Sequence, residues 1–303
     1  MKSQIDILGL GAVAVDDLVY VELYPTPDTK VRVLDRDRQC GGLTATALVA
    51  AARLGCRCAY AGVTGTDEAS EFALAAMAGQ GIRVDLANRR ADKRIFHSTI
   101  IVDRRGTRTL LCDGRNVQGA GEDWPDADII QSCGVLFVDH IGMAGMVRAA
   151  RIARSAGIPV VADVERTPSK LFDELMHLID HLIVPVGFAR EITGLNEPDQ
   201  AAAALWSDNR QAVVVTCGED GSWYLGPGSK PSHQKAYQVQ VVDTTGCGDA
   251  FHGAYAASLI RGLNLNDRIR LASATAALKA THRGGQAGCP MLAEVEAFLA
   301  DKH

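Results

Sequence analysis

The chain has 303 residues, 47% of them hydrophobic and 22% charged, with a formal net charge of −5 and a pI near 5.9. That length suits one large α/β domain or two small ones, and the mild acidity makes nonspecific nucleic-acid binding a poor expectation. No run of 18 apolar residues and no signal-peptide pattern points to a membrane or to export, and the eight scattered cysteines read as reduced core thiols, so the expected location is the cytoplasm.

Residues 5–10 are a short apolar run ending in Gly9 and Gly11, which predicts a buried strand entering a tight turn. Residues 18–23 and 30–34 are rich in Val and Tyr and flank Pro25 and Pro27, a hairpin-like pattern outside the main sheet. Residues 44–54 are Ala-rich with Gly55 beyond and predict a helix. A strand follows at 59–63 and a helix at 68–80. Strands at 97–102 and 107–111 flank Asp103-Arg104-Arg105-Gly106, a second hairpin. From there strands (135–138, 158–162, 182–186, 212–216) alternate with helices (144–156, 170–179, 200–207), then come a strand at 222–225 and helices at 251–261, 269–281 and 292–300. Such alternation predicts a parallel sheet with helices on both faces. The two early hairpins do not belong to it and predict a small β structure over one edge.

The sharpest chemical string is Val241-Val242-Asp243-Thr244-Thr245-Gly246-Cys247-Gly248-Asp249-Ala250-Phe251. An apolar strand runs into a glycine-rich turn and then a helix, whose N-terminal N–H groups and macrodipole favour an anion. Gly246 and Gly248 let the backbone approach a phosphate, and Asp249 in the first turn can take a proton from an attacking hydroxyl. A bare capped helix would also use an acidic residue there. Gly9-Leu10-Gly11-Ala12-Val13-Ala14 begins like a dinucleotide fingerprint, but its third glycine is replaced by Ala14 and the next segment reads as strand, which argues against a nicotinamide oxidoreductase.

With these motifs the sequence resembles, over nearly its whole length, the carbohydrate kinase family of ribokinase and adenosine kinase. The resemblance implies a ribokinase-like three-layer α/β/α sandwich, a single domain over residues 1–303, with a β-sheet lid from insertions at about 16–40 and 93–115. It implies transfer of the γ-phosphate of ATP, with Mg2+ and, as often in the family, K+, to a hydroxyl of a sugar of ketohexose, sulfofructose or ribose-like type. Nucleoside kinases and a non-catalytic sugar-binding protein on the same scaffold are the alternatives. Asp249 would be the base, with Gly246, Cys247 and Gly248 the anion hole; Cys247 replaces the family's alanine. Asp16, Gly41, Gly42, Thr46, Arg108 and His140 would face the sugar, Thr46 replacing a frequent asparagine, with a shorter reach and one donor. Thr216, Gly218, Gly221, Thr245, Ala276, Lys279 and Gly285 would flank the nucleotide, and Asp243, Thr245, Gly284 and Gly288 a monovalent cation.

The family's frequent N-x-x-E motif for Mg2+ is missing: Pro185-Val186-Gly187-Phe188 stands there, with Glu191 slightly later. Several local strings are most similar to the sulfofructose kinases, among them Phe251-His252-Gly253-Ala254 and Ala276-Ala277-Leu278-Lys279. Where that subgroup holds its sulfonate with asparagine and arginine, Cys112 and His140 fall here, which weighs against a sulfonate. Basic residues of the lid stretches (Lys30, Arg32, Arg36, Arg38, Arg104, Arg105, Arg108) either select an anionic sugar or are solvated strand faces. Family members often pair their lids, which implies a homodimer.

Overall fold

The computed structural model describes residues 5–104, 108–167 and 169–302. The expected hairpin tip Arg105-Gly106 and Thr107 lie outside them. The first apolar run forms β1 (Ile5–Gly9), whose side chains are nearly all buried. It leads to β2 (Ala14–Val21), β3 (Val33–Gly41), α1 (Leu43–Arg53), β4 (Cys58–Tyr60), β5 (Val63–Thr64) and α2 (Glu68–Gly79). Next come β6 (Asn88–Arg89), β7 (Phe96–Val102), β8 (Arg108–Asp113), α3 (Ala127–Gln131), β9 (Cys133–Asp139) and α4 (Met143–Ser155). β10 (Val160–Asp163), α5 (Phe172–Leu178), β11 (His181–Pro185), α6 (Val186–Thr193), α7 (Pro198–Ala204) and β12 (Ala212–Thr216) continue the alternation. β13 (Ser222–Leu225), β14 (Ser232–Gln234), α8 (Cys247–Ile260), α9 (Leu265–Ala280) and α10 (Leu292–Ala300) complete the described chain.

The main sheet has eight strands in the order β14-β13-β12-β11-β10-β9-β1-β4. The six from β12 to β4 are parallel, and β13 and β14 add an antiparallel edge. The parallel strands are near-continuous runs of buried residues, mostly β-branched and aliphatic except in the short β4, as a sheet covered on both faces requires. One apolar cluster joins α4, α5, α6 and α7 to one face; the other joins α1, α2, α8 and α9 to the opposite face. The result is the three-layer sandwich.

A second sheet of four strands, β3-β2-β7-β8, is the lid. β2 pairs with β3 antiparallel and with β7 parallel, so two insertions distant in the chain share one sheet. Their strands run longer than expected, and β2 and β3 lie several residues from the predicted hairpin. The reason is electrostatic: the Asp35–Arg38 run of β3 has no apolar alternation, and it is ordered by cross-strand partners such as Asp17, which receives Arg38 Nε at 2.6 Å.

The strand expected at 59–63 divides into β4 and β5, and the short elements α3, α6, β6 and β14 carry too little periodic signal to be expected from the sequence. Pro185 ends β11 as expected and is also the N-cap of α6, whereas Val186, expected as the last residue of that strand, begins the helix. α8 starts four residues before its expected beginning, so the glycine motif is itself the helix's first turn.

Candidate active site

The turn before α8 is braced from several sides. Val242 and Asp243 donate their N–H groups to the Ala280 carbonyl at 2.8 and 3.1 Å. The Asp243 carboxylate accepts from Thr245 N and Gly284 N, each at 2.9 Å. Burial alone would raise its pKa, but these donors and the nearby Lys279 charge hold it below its ordinary value. Gly246, the N-cap, has φ 74°, a left-handed conformation that favours glycine. No side chain caps this helix. A Cβ placed on Gly248 would meet nothing within 4 Å, because that position faces open space. Orphan N–H groups beside an open cradle are the elementary parts of an anion site.

Asp249 stands in this first turn with one face to solvent. Burial, then the neighbouring Asp163, push its carboxyl up to about 8. Asp163, at the end of β10, is buried and raised well above its usual value for the same reason, with Glu165 and Asp139 adding to it. Asp139, at the end of β9, is fully buried and pushed up to about 7, again by burial first. It accepts from Ala12 N at 2.6 Å and Ile141 N at 2.7 Å, and the Thr44 hydroxyl lies 2.9 Å away. It therefore ties the β1–β2 turn to the start of α1. Such carboxylates at the carboxyl ends of parallel strands sit where α/β sheets open to ligands. Asp139, Asp163 and Thr44 were not singled out from the sequence. An apolar strand ending in Asp, twice in succession, was the available signal.

The lid's inner face carries the row Gln39–Asp16–Ser98–Cys112. Asp16 is half-buried and raised by that burial, with the Ser98 hydroxyl bond opposing the rise. A Cβ on Gly41 would lie 2.7 Å from its Oδ2, so glycine there leaves the carboxylate its room. Asp17 points to the other face, where Arg38 and His97 bind it and hold it down to about 2. Of the adjacent pair, Asp16 is thus the one on the cleft side. Gly42 caps α1 with φ 98°, and its missing Cβ would fall 2.6 Å from the Ala12 carbonyl. Thr46 is buried and receives Gln286 Nε2 at 3.5 Å; its methyl would lie 3.3 Å from a Cβ on Gly246. The starts of α1 and α8 therefore converge.

Of the remaining expected residues, Thr216, Gly218, Gly221, Ala276, Cys247 and Gly248 line one cleft of about 630 Å³, within the size range of small-molecule sites. Thr245, Lys279 and Gly285 are not in its lining. Arg108, at the start of β8, reaches the turn before α8: Nη1 donates to Thr245 Oγ1 and lies 3.7 Å from Asp243. Gly284 and Gly288 belong to one turn, Gly288 N donating to Gly284 O at 3.2 Å. His140 is buried at the end of β9, its Nδ1 without a hydrogen-bond partner, and burial lowers its pKa. Glu191 is an exposed charge on α6. Among the described residues no group of three or more His, Cys, Asp and Glu side chains could hold a metal ion, and no helix is long and apolar enough to cross a membrane.

A doubly covered parallel sheet, a β lid over its strand ends and an uncapped helix N-terminus with a carboxyl in its first turn define the ribokinase-like class of fold. The chain belongs to the pfkB family of carbohydrate kinases, whose profile matches residues 6–292. It is 28% identical to the ribokinase of Haemophilus influenzae over 96% of this chain and 97% of that one. Among solved structures, a protein of Agrobacterium tumefaciens provisionally termed a ribokinase superposes with a TM-score of 0.90 at 27% identity, covering 98% of both chains. Arabidopsis thaliana ribokinase, solved with ribose and ATP, superposes with a TM-score of 0.89 at 24% identity, covering 97% of this chain and 98% of that one.

Proposed function

We propose that this protein transfers the γ-phosphate of ATP to a hydroxyl of a small sugar, with Asp249 as the general base. The observation that carries the reading is the first turn of α8, where uncapped N–H groups, an open space over Gly248 and the Asp249 carboxyl adjoin. The 630 Å³ cleft on one side takes the nucleotide, and the lid row with Asp16 on the other takes the sugar hydroxyls. The backbone donors hold the charge that develops on the transferring phosphoryl group, and Asp249 accepts the hydroxyl proton as the new P–O bond forms. Thr46 and Cys112 in place of larger polar groups, together with the ribokinase relatives, favour a neutral pentose or ketohexose, ribose first, over a sulfosugar.

The residues fit Mg2+ as an ion carried by the triphosphate, since the described carboxylates form no cage of their own. Asp163 and Glu165, the acidic neighbours of Asp249, would attract it, and when bound it neutralises phosphate charge. The reading places the protein in the cytoplasm as a homodimer joined at the lids, a pairing supported by the exposure of Leu23, Leu110 and Leu111 at 60%, 58% and 57%.

The test is ADP release from ATP·Mg2+ over a panel of pentoses, ketohexoses, aldohexoses, sulfosugars and nucleosides, with Asp249→Asn alongside. One class of sugar should give a strong signal, and the substitution should lower its turnover roughly 10²–10⁴-fold while ATP still binds. A variant with near-normal turnover removes Asp249 from the chemistry. Ligand binding with no ADP release across the panel establishes a binding protein instead.

A further inference from the structure

The family resemblance implies a monovalent cation beside the phosphate turn, among Asp243, Thr245, Gly284 and Gly288. The chain does not fit that ion. Lys279, in the last turn of α9, is fully buried. Its Nζ donates to the Asp243 carbonyl at 2.8 Å and to the His282 carbonyl at 3.4 Å. A buried ammonium is costly unless its charge and its donors are satisfied. Here two carbonyls from different segments satisfy donors, and the Asp243 carboxylate lies close enough for the lysine's charge to lower its pKa. The same two segments are cross-tied by Val242 N and Asp243 N on Ala280 O and by Gly284 N on Asp243 Oδ2. Lys279 therefore brings a fixed positive charge and donors aimed at carbonyls to Asp243, one of the residues expected around the cation, and to His282 in the turn that leads to Gly284.

We infer that the Lys279 ammonium replaces the monovalent cation, so that the charge at the root of the phosphate turn is supplied covalently and the protein works without K+. This rests on the kinase reading only where turnover is concerned. Lys279 acts through the turn that carries Gly246 and Asp249, so it is a positioning residue. Its removal should leave an oxygen-lined vacancy of the right charge for K+ or ammonium.

The experiment compares the full-length wild type with Lys279→Ala and Lys279→Met in buffers whose only cation is tetramethylammonium, then with added KCl or NH4Cl. Two readouts are followed: the melting temperature without substrates, and ADP release. The wild type should show the same melting temperature and turnover with and without K+. Lys279→Ala should lose roughly 10²-fold in turnover without K+, the size of removing one charge-stabilising group. K+ or ammonium should restore that turnover and raise the melting temperature of this variant alone, as a ligand bound only to the folded state does.

A wild type that needs K+ for turnover, or that melts higher in K+ than in tetramethylammonium, overturns the inference. So does a folded Lys279→Ala that keeps full turnover without K+, or one that neither K+ nor ammonium rescues. If Lys279→Ala does not fold, Lys279→Met keeps the aliphatic stem and should show the loss without the rescue; full turnover in that variant also refutes the idea. Melting needs no sugar, so a silent sugar panel would remove the kinase reading and leave the ion comparison decided.

Discussion

Asp249, the proposed base, stands where burial disfavours its charge. Its folded pKa of about 8 lies above the ordinary 3.8, so the folded state holds a proton that the unfolded chain has already lost between those values. The associated stability is fully present below about 3.8 and is lost as pH rises through about 8. Asp139, at about 7, adds to the same trend. Two results follow. The kcat/KM for the sugar should rise with pH to a plateau with its inflection near 8, since the base works ionised, and that rise should vanish in Asp249→Asn. The same variant should melt higher than the wild type at pH 8 and equally at pH 4, read by thermal scans at both; a lower melting point at pH 8 would contradict the burial argument.

At the level of elements, the pairing of α1 with α8 brings together the helix start proposed to meet the sugar and the one proposed to meet the phosphate. Gly253 permits it: a Cβ there would sit 2.1 Å from the Ala47 carbonyl, a rigid backbone atom. Gly253→Val should destabilise the fold by about 1–3 kcal/mol or more, as overpacking does, seen as a lower urea midpoint at unchanged slope. An unchanged midpoint would mean the helices separate at no cost.

Legibility in the sequence follows from these same elements. The turn before α8 was readable because glycines and carboxyl are contiguous from Gly246 to Asp249, although Val241 and Val242, expected to end an apolar strand, lie outside any strand and are exposed, because their segment is tied through Val242 N to the end of α9 and not to the sheet. The parallel strands were readable because burial on both faces demands unbroken apolar runs. Asp139 and Asp163 escaped because each acquires its neighbours only when separate strand ends meet. β3 escaped because its charged residues answer partners in β2 and α2, Arg38 bonding both Asp17 and Glu68. Lys279 was placed near the nucleotide or a cation, but its partner carbonyl on Asp243 lies 36 residues away in the chain and comes within reach only through folding.

For the whole molecule, the lid presents exposed Leu23, Tyr24, Val31, Leu34, Leu110 and Leu111. If two chains cover them together, light scattering should give twice the 32.2 kDa chain mass, and Leu111→Glu should return it to one. A monomeric wild type at working concentration would refute the lid pairing.

The lid's composition also has a consequence for how the protein is born. Its central ladder joins Asp16 to Ser98 and Tyr20 to Val102, partners drawn from opposite sides of α1, β4 and α2. Closing so long a loop carries an entropic cost that only later contacts repay. On a ribosome, the first hairpin emerges well before the strand that must lie beside it. The row that carries Asp16 is therefore completed only once β7 has been made, and an interrupted or truncated chain carries Asp16 without its neighbour Ser98.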